Sequence, residues 1–350
     1  KLYDSRKINL AAPLSDYYPP LKETDKKDIT VQEVLCHNAG LKTFLPLFTD
    51  AIDPKSLPGP LFTSKRTAHN TTLKDRLYVN LNYRFKDSTV SNSPKPGYKY
   101  MEPGLYMFPA YQDTIRSCIL HSPLNPKKEY AYSDLGFILL KFAVEHVTEK
   151  SLDQYCQEEF YRKLGMHHTD FLAHKRLNKN NLVPSCVDKL YRKTELKGYV
   201  HDPVAALLGG IAGHAGLFST AEDLAKMMQL YLNGGTYGGE YYFSPETMAT
   251  FSCKNNLFPK NRRGLGFDKP EPDQTKINPV SKCLPLTSFG HTGFTGIMAW
   301  CDPDNKLLYL FLSNRTYPDE FNTKLSEMNI RTQIQDIIYQ ALEESKIRYN

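Results

Sequence analysis

Long apolar runs are missing from this sequence. None of its 350 residues lies in a stretch approaching the roughly 18 that a membrane-spanning helix needs, and no signal-peptide pattern opens it. A disulfide framework is missing too. The seven cysteines, Cys36, Cys118, Cys156, Cys186, Cys253, Cys283 and Cys301, are odd in number, widely spaced and contain no Cys-x-x-Cys, so they read as mostly free, buried thiols and suggest no metal site. Charge of one sign is nowhere concentrated. Lys and Arg exceed Asp and Glu by a net +6, but the densest basic cluster, His174-Lys175-Arg176-Leu177-Asn178-Lys179, is short enough to be a solvated loop, and no nucleic-acid partner is expected. No internal repeat is visible. What the chain does have is 41% hydrophobic and 12% aromatic content, enough to bury a large core in one domain of two lobes or in two domains. It opens at Lys1-Leu2-Tyr3 rather than at a methionine, and reads as a piece of a longer protein.

Helix starts are marked by capping boxes, in which a Ser or Thr and a Glu or Gln three residues on satisfy each other's free N–H groups. Thr30 with Glu33 opens a short helix that stops at Gly40. Ser151 with Gln154 opens a second, ended by Gly165. Ser219 with Glu222 opens a third, carrying Leu224, Met227, Met228 and Tyr231 at helical spacing before Asn233-Gly234-Gly235. Between about 54 and 115 periodicity dissolves except in the alternating piece Leu77 to Tyr83, which suggests a functional lid or an insertion. Further on, residues 296–301 and 307–312 read as two buried strands around the turn Asp302-Pro303-Asp304-Asn305. The last stretch, about 329 to 344, places Ile330, Ile334, Ile337, Ile338 and Ala341 on one helical face that must cover something.

Four stretches could carry chemistry, and each has a plain structural alternative. In Tyr132-Ser133-Asp134-Leu135-Gly136-Phe137, Ser133 or Asp134 could simply cap the following helix. His291-Thr292-Gly293 could be a turn before a strand. Residues 208–220, rich in glycine and alanine around His214, let backbone approach backbone, so packing is the default; the lysine of a phosphate loop is absent. In residues 29–41, His37 stands near the end of a capped helix.

Taken in order, "ITVQEVLCHNAGL", "YSDLGF", "GGIAGHAGLFSTAEDLAKMM" and "GHTGFTG" resemble the serine hydrolases of the class C β-lactamase and penicillin-binding-protein-like group over nearly the whole chain. The stretches "RRGLGFDKP", "FLSNRTYP" and "NIRTQIQDIIYQAL" are similar to the serine hydrolase domains fused behind a family 3 glycoside hydrolase in Bacteroidetes-type proteins. The resemblance implies an α+β fold: an antiparallel sheet with flanking helices, mainly within 236–350, beside a mostly helical lobe over about 30–235, as one domain across 1–350 with the N-terminal part of the fold missing. It implies acyl-enzyme chemistry, in which a base activates a serine and backbone donors bind the oxyanion. On this resemblance Tyr132 is the base, Asp134 and His291 orient and polarise, Thr292 completes the motif, and the Phe294 N–H binds the oxyanion. Ser133 and Gly293 are expected to contact substrate, and no cofactor or metal is implied.

Three departures qualify the resemblance. Asp134 stands where a neutral Asn is commoner, and His291 where a Lys carries fixed charge. Both disfavour anionic β-lactams and favour an ester, amide or peptide substrate. The third departure is an absence: no serine in the chain is followed by a lysine three positions on. Thr24 with Lys27 and Thr71 with Lys74 match only with threonine, in polar segments. The nucleophile is therefore expected upstream of Lys1, in a helix that the chain enters part-way, and the chain alone is expected to be inactive. The expected substrate is a small molecule, peptide or peptidoglycan, with an N-terminal glycoside hydrolase domain as partner and the periplasm or cell envelope as compartment. The competing expectation is a non-catalytic module that holds a peptide or glycan in the same cleft. Tyr132 and His291-Thr292 should then face one cleft, while His37 and His214 should be structural, anchored to backbone with no metal between them.

Overall fold

Leu135, Ile138, Leu139, Phe142 and Ala143 recur at helical spacing and are all buried, so the helix Asp134–Thr148 runs through the largest apolar cluster of the molecule. The computed structural model describes residues 1–349. Two glycines let other segments touch the first turn of this helix. At Gly136 a Cβ would stand 2.9 Å from Val34 Cγ1, which lets the short helix Val31–Leu35 lie directly on it. Gly213 lies against Phe137, where a Cβ would come within 2.0 Å of the carbonyl oxygen.

Three strands, Phe289–Thr292, Met298–Asp302 and Leu307–Phe311, pair antiparallel in chain order. Alternation sends side chains to opposite faces. Phe289 and Cys301 meet Met228 and Leu230 of the helix Ala221–Leu232 on one face, while Met298, Trp300 and Tyr309 meet Tyr339 of the C-terminal helix Ile330–Tyr349 on the other. The architecture is the mixed arrangement of helices and small antiparallel sheets that the motifs imply. The helix Ala221–Leu232 lies on the sheet, so the sheet lobe draws on residues before 236.

Local differences from the sequence reading have identifiable causes. The Thr30–Glu33 capping box is present, but its helix ends at Leu35, and His37 adopts φ 56°. Thr220 rather than Ser219 caps the helix Ala221–Leu232, accepting from Asp223 N at 3.3 Å; Ser219 is hydrogen-bonded to Thr169 at 2.8 Å instead. Ser151 makes no capping bond, and the first free N–H of this helix, that of Leu152, is taken by Glu145 Oε1 at 3.0 Å. The C-terminal helix buries its isoleucine face only in part: Ile338 packs against the sheet cluster, while Ile334 and Ile337 are 37% and 64% exposed. Polar partners set its orientation instead. Tyr339 Oη donates to Asp302 Oδ2 at 2.5 Å, and Gln335 Oε1 accepts the Ser281 N–H at 2.8 Å.

The aperiodic segment folds into two small three-stranded sheets, one from Phe62–Thr63, Leu77–Val79 and Thr71–Lys74, the other from Val90–Ser91, Leu105–Met107 and Lys99–Glu102. It is fastened to the hairpin Pro184–Asp188/Thr194–Lys197 through buried Arg192, whose Nη1 donates to Glu102 at 2.7 Å and whose Nε donates to Asp188 at 2.6 Å. Asn92 Nδ2 spans the same junction, donating to the Gly104 and Tyr191 carbonyls at 2.8 Å each.

The glycines of residues 208–216 separate two kinds of constraint. Gly209 has φ +87° with nothing near its missing Cβ, whereas Gly213 is closed by the Phe137 backbone. Gly209→Ala should cost about 1 kcal/mol for left-handed backbone, and Gly213→Ala about 3 kcal/mol for overpacking. Urea unfolding midpoints of the two variants, compared with the unchanged chain, check the ranking.

Candidate functional site

Tyr132 is placed by the residues on either side of it. Ala131 N donates to the His37 carbonyl at 2.9 Å, Ser133 N to His37 Nδ1 at 3.0 Å, Ser133 Oγ to the Lys42 carbonyl at 2.6 Å and Asp134 N to the Thr43 carbonyl at 3.1 Å. These four bonds stitch residues 131–134 to residues 37–43, and Tyr132 is left 45% exposed between them. Ser133, expected to meet substrate, is turned inward and its hydroxyl is committed to Lys42. It occupies the N-cap position of the helix without a side-chain capping bond.

Three groups lie against the Tyr132 ring. The His37 ring is 4.4 Å away, tilted 36°; the His291 ring is 6.0 Å away, tilted 39°; and the Arg263 guanidinium carbon is 5.7 Å from the ring centroid. Burial pushes the Tyr132 hydroxyl above its ordinary value, and the Asp134 charge adds to this while Arg263 opposes it. His37 Nδ1 accepts a backbone N–H, which puts its proton on Nε2, a buried atom without a partner among the described residues. Burial first, then Arg263 and His291, push its pKa down to about 3. His291 Nδ1 lies 2.7 Å from the Thr292 carbonyl and so donates, leaving Nε2 as an acceptor. Burial and Arg263 lower its pKa as well.

The strand carrying His291 ends in a tight turn, with Gly293 N on the Ile297 carbonyl at 2.8 Å and Gly296 N on the Gly293 carbonyl at 3.0 Å. Among the described residues no acceptor takes the Phe294 N–H. Its side chain is 63% exposed, flanked by the His201 ring at 5.1 Å and the Arg315 guanidinium at 4.5 Å.

Asp134 points elsewhere, into a small pocket lined by Phe44, Ile138, Asp202, Val204 and His214. His214 Nε2 is 3.0 Å from Asp202 Oδ1, so this histidine is anchored by a carboxylate rather than by backbone. Burial raises the Asp134 pKa; His214 opposes the shift and Asp202 adds to it. The structure thus gathers Tyr132, His291 and Thr292 at one place, with Gly293 and Phe294 in the adjoining turn, and sets Asp134 in a neighbouring recess. Sequence reasoning gave Arg263 no role; the one signal for it is an arginine pair directly before Gly264-Leu265-Gly266, where a buried turn leaves little room for a solvated side chain.

His37 generates a pH prediction. The unfolded imidazole takes up its proton near pH 6.5 and the folded one only near 3, so between those values the unfolded state binds more protons. The stability contributed is present above pH 6.5 and is lost as the pH falls, by up to about 1.4 kcal/mol per unit from this group. His37→Asn keeps an acceptor for Ser133 N–H and tolerates positive φ, and it should flatten the dependence between pH 6.5 and 4.5. Urea midpoints measured at half-unit steps test it; an unchanged slope would show that His37 is not buried neutral.

Comparison with known proteins gives these positions a family. The sequence-family profile described as Beta-lactamase matches residues 1–328. The chain is 35% identical over 213 residues to the "Putative D-alanyl-D-alanine carboxypeptidase" of Escherichia coli (strain K12), a match covering 57% of this chain and 48% of that protein. A protein of the same name from Salmonella gallinarum is 31% identical over 242 residues, covering 63% and 54%; the chain spans about half the length of these curated relatives. Among solved structures, EstCE1, a hydrolase with promiscuous acyltransferase activity, aligns with a TM-score of 0.56 at 17% identity, covering 97% of this chain and 80% of its own. A penicillin-binding protein homolog from Caulobacter crescentus aligns at 0.53 and 16% identity, covering 89% and 72%. Those structural likenesses speak for the fold, and the profile speaks for descent: this chain is a member of the β-lactamase family.

Proposed function

We propose that the protein is a serine hydrolase that cleaves an ester or amide through an acyl-enzyme, with Tyr132 as base, His291 and Asp134 orienting and polarising, and the Phe294 N–H as an oxyanion donor. The observation that carries this reading is the placement of Tyr132 and His291, distant in sequence, with their rings 6.0 Å apart in a chain of the β-lactamase family. A free Phe294 N–H beside them suits a donor that must be unoccupied until negative charge develops on substrate. Thr292 and Gly293 shape the strand end that presents it.

The names of the curated relatives support peptidoglycan peptides as the substrate class and the cell envelope as the place of action. The stretches at 262–270, 311–318 and 329–342 support an N-terminal glycoside hydrolase as the neighbouring domain. The nucleophile is a serine of a Ser-x-x-Lys outside residues 1–350, since no serine within them has a lysine three positions on. The same absence is what a non-catalytic module, holding a peptide or glycan in this cleft, would also have.

A serine-directed fluorophosphonate separates the two. The 350-residue chain should take no label, and the chain extended upstream through a Ser-x-x-Lys should take one. In that extended protein Tyr132→Phe should lower the labelling rate about 100-fold or more. Intact-mass spectrometry reads the outcome: an adduct on a serine between 1 and 350 would place the nucleophile elsewhere, and an unlabelled extended protein would favour the binding module.

A further inference from the structure

Two consecutive arginines enter the site, and they are held very differently. Arg262 is bidentate on Asp268, with both bonds at 2.9 Å, it donates again to the Lys269 carbonyl at 2.9 Å, and Glu271 lies 3.7 Å from it. Arg263 is only 2% exposed, yet its contacts are long. Its Nη1 is 3.8 Å from Asp268 Oδ2, its Nη2 reaches the Gly266 carbonyl at 3.5 Å, and its buried Nε has no partner among the described residues. Both nearby carboxylates thus face Arg262, and Arg263 is the less neutralised of the two. A buried guanidinium keeps its charge rather than shedding a proton, so leaving one so thinly bonded is costly unless something else answers its charge.

What lies within reach is the Tyr132 ring, 5.7 Å from the guanidinium carbon and inside the range of a cation–π contact. We propose that Arg263 is the fixed cation of this site, a positioning residue that holds the Tyr132 ring and stabilises the phenolate from which Tyr132 acts as base. The proposal rests on the reading of Tyr132 as base, and it locates the positive charge that a histidine at position 291 does not permanently supply. The rings of His37 and His291 and the guanidinium of Arg263 lie against Tyr132, and the charges of Asp134, Tyr130 and Asp268 also reach it. Of these, Asp134 and Asp268 work against a phenolate. Arg263 is the one whose charge is both favourable and independent of pH. Its field also reaches the two imidazoles, which makes the proposal measurable without turnover.

The test uses the 350-residue chain labelled with 13C at histidine Cε1 and tyrosine Cζ, with the His291 and Tyr132 resonances assigned by their loss in His291→Gln and Tyr132→Phe. In the unchanged chain the His291 midpoint should lie below the ordinary histidine value. Arg263→Met should raise both the His291 and the Tyr132 midpoints by about half a pH unit or more, and Arg263→Lys should restore at least half of each shift, which a purely structural role would not produce. The proposal is overturned if His291 in the unchanged chain titrates at or above the ordinary value, a result that needs no variant to fold. It is equally overturned if Arg263→Met, with unaltered far-UV circular dichroism, leaves both midpoints in place. Such a failure would remove Arg263 from the site without touching Tyr132, whose role the serine-labelling experiment decides separately.

Discussion

The first turn of the helix Asp134–Thr148 is approached from three sides with almost no side-chain atoms between the backbones, and the candidate site depends on that closeness. Val34 sits where Gly136 has no Cβ, the Phe137 carbonyl sits where Gly213 has none, and the Lys42 and Thr43 carbonyls take bonds from Ser133 and Asp134. Buried backbone donors and acceptors have to be paired, and here the pairing partners are other loops rather than further turns of helix. The result is a rigid corner. Tyr132 stands at its apex, one residue before the helix, with no freedom to follow substrate by moving its own backbone.

Electrostatics at that corner follow from the same tight packing. An imidazole that must accept a backbone N–H cannot also be an imidazolium, so His37 is an apolar-faced spacer under the Tyr132 ring more than a charge. Burial and Arg263 also lower the pKa of His291. On the proposed reading, chemistry at Tyr132 is therefore governed by an arginine and two carboxylates of fixed position, with the imidazoles contributing shape, polarisability and one free acceptor nitrogen. Asp134 is displaced into a recess beside the Asp202–His214 pair, where burial raises its pKa and His214 opposes that shift.

Features carried by contiguous residues were legible in the sequence. The Thr30–Glu33 box could be read because both partners lie within one turn, and the strands around Asp302 could be read because apolar runs and turn residues alternate there without interruption. Features settled by distant partners were not. Thr220 and Ser219 are equally able to cap, and only the Thr169 hydroxyl, far away in sequence, takes Ser219 out of competition. The isoleucine stripe of the last helix is a good apolar face, but Asp302 and Ser281 hold Tyr339 and Gln335, so that Ile338 packs on the sheet while Ile334 and Ile337 are left toward solvent. Within the site, the YSDLGF and GHTG stretches drew attention to Tyr132 and His291, whereas the inward turn of Ser133 is decided by a carbonyl at Lys42. Arg263 was least visible, because an arginine pair in a glycine-rich turn looks like solvated surface until the tyrosine beside it is known.

The buried Glu102–Arg192–Asp188 cluster changes what the long aperiodic segment can do. Peeling the segment away from its hairpin would break the buried Glu102–Arg192 pair and leave Arg192 with Asp188 alone as carboxylate partner, a penalty of up to about 3–5 kcal/mol for a broken buried pair, on top of the Asn92 bonds across the same seam. A cover that swings on each cycle needs a hinge that opens for far less. The segment is accordingly a wall. Whatever it borders, it contributes through fixed shape rather than through opening and closing.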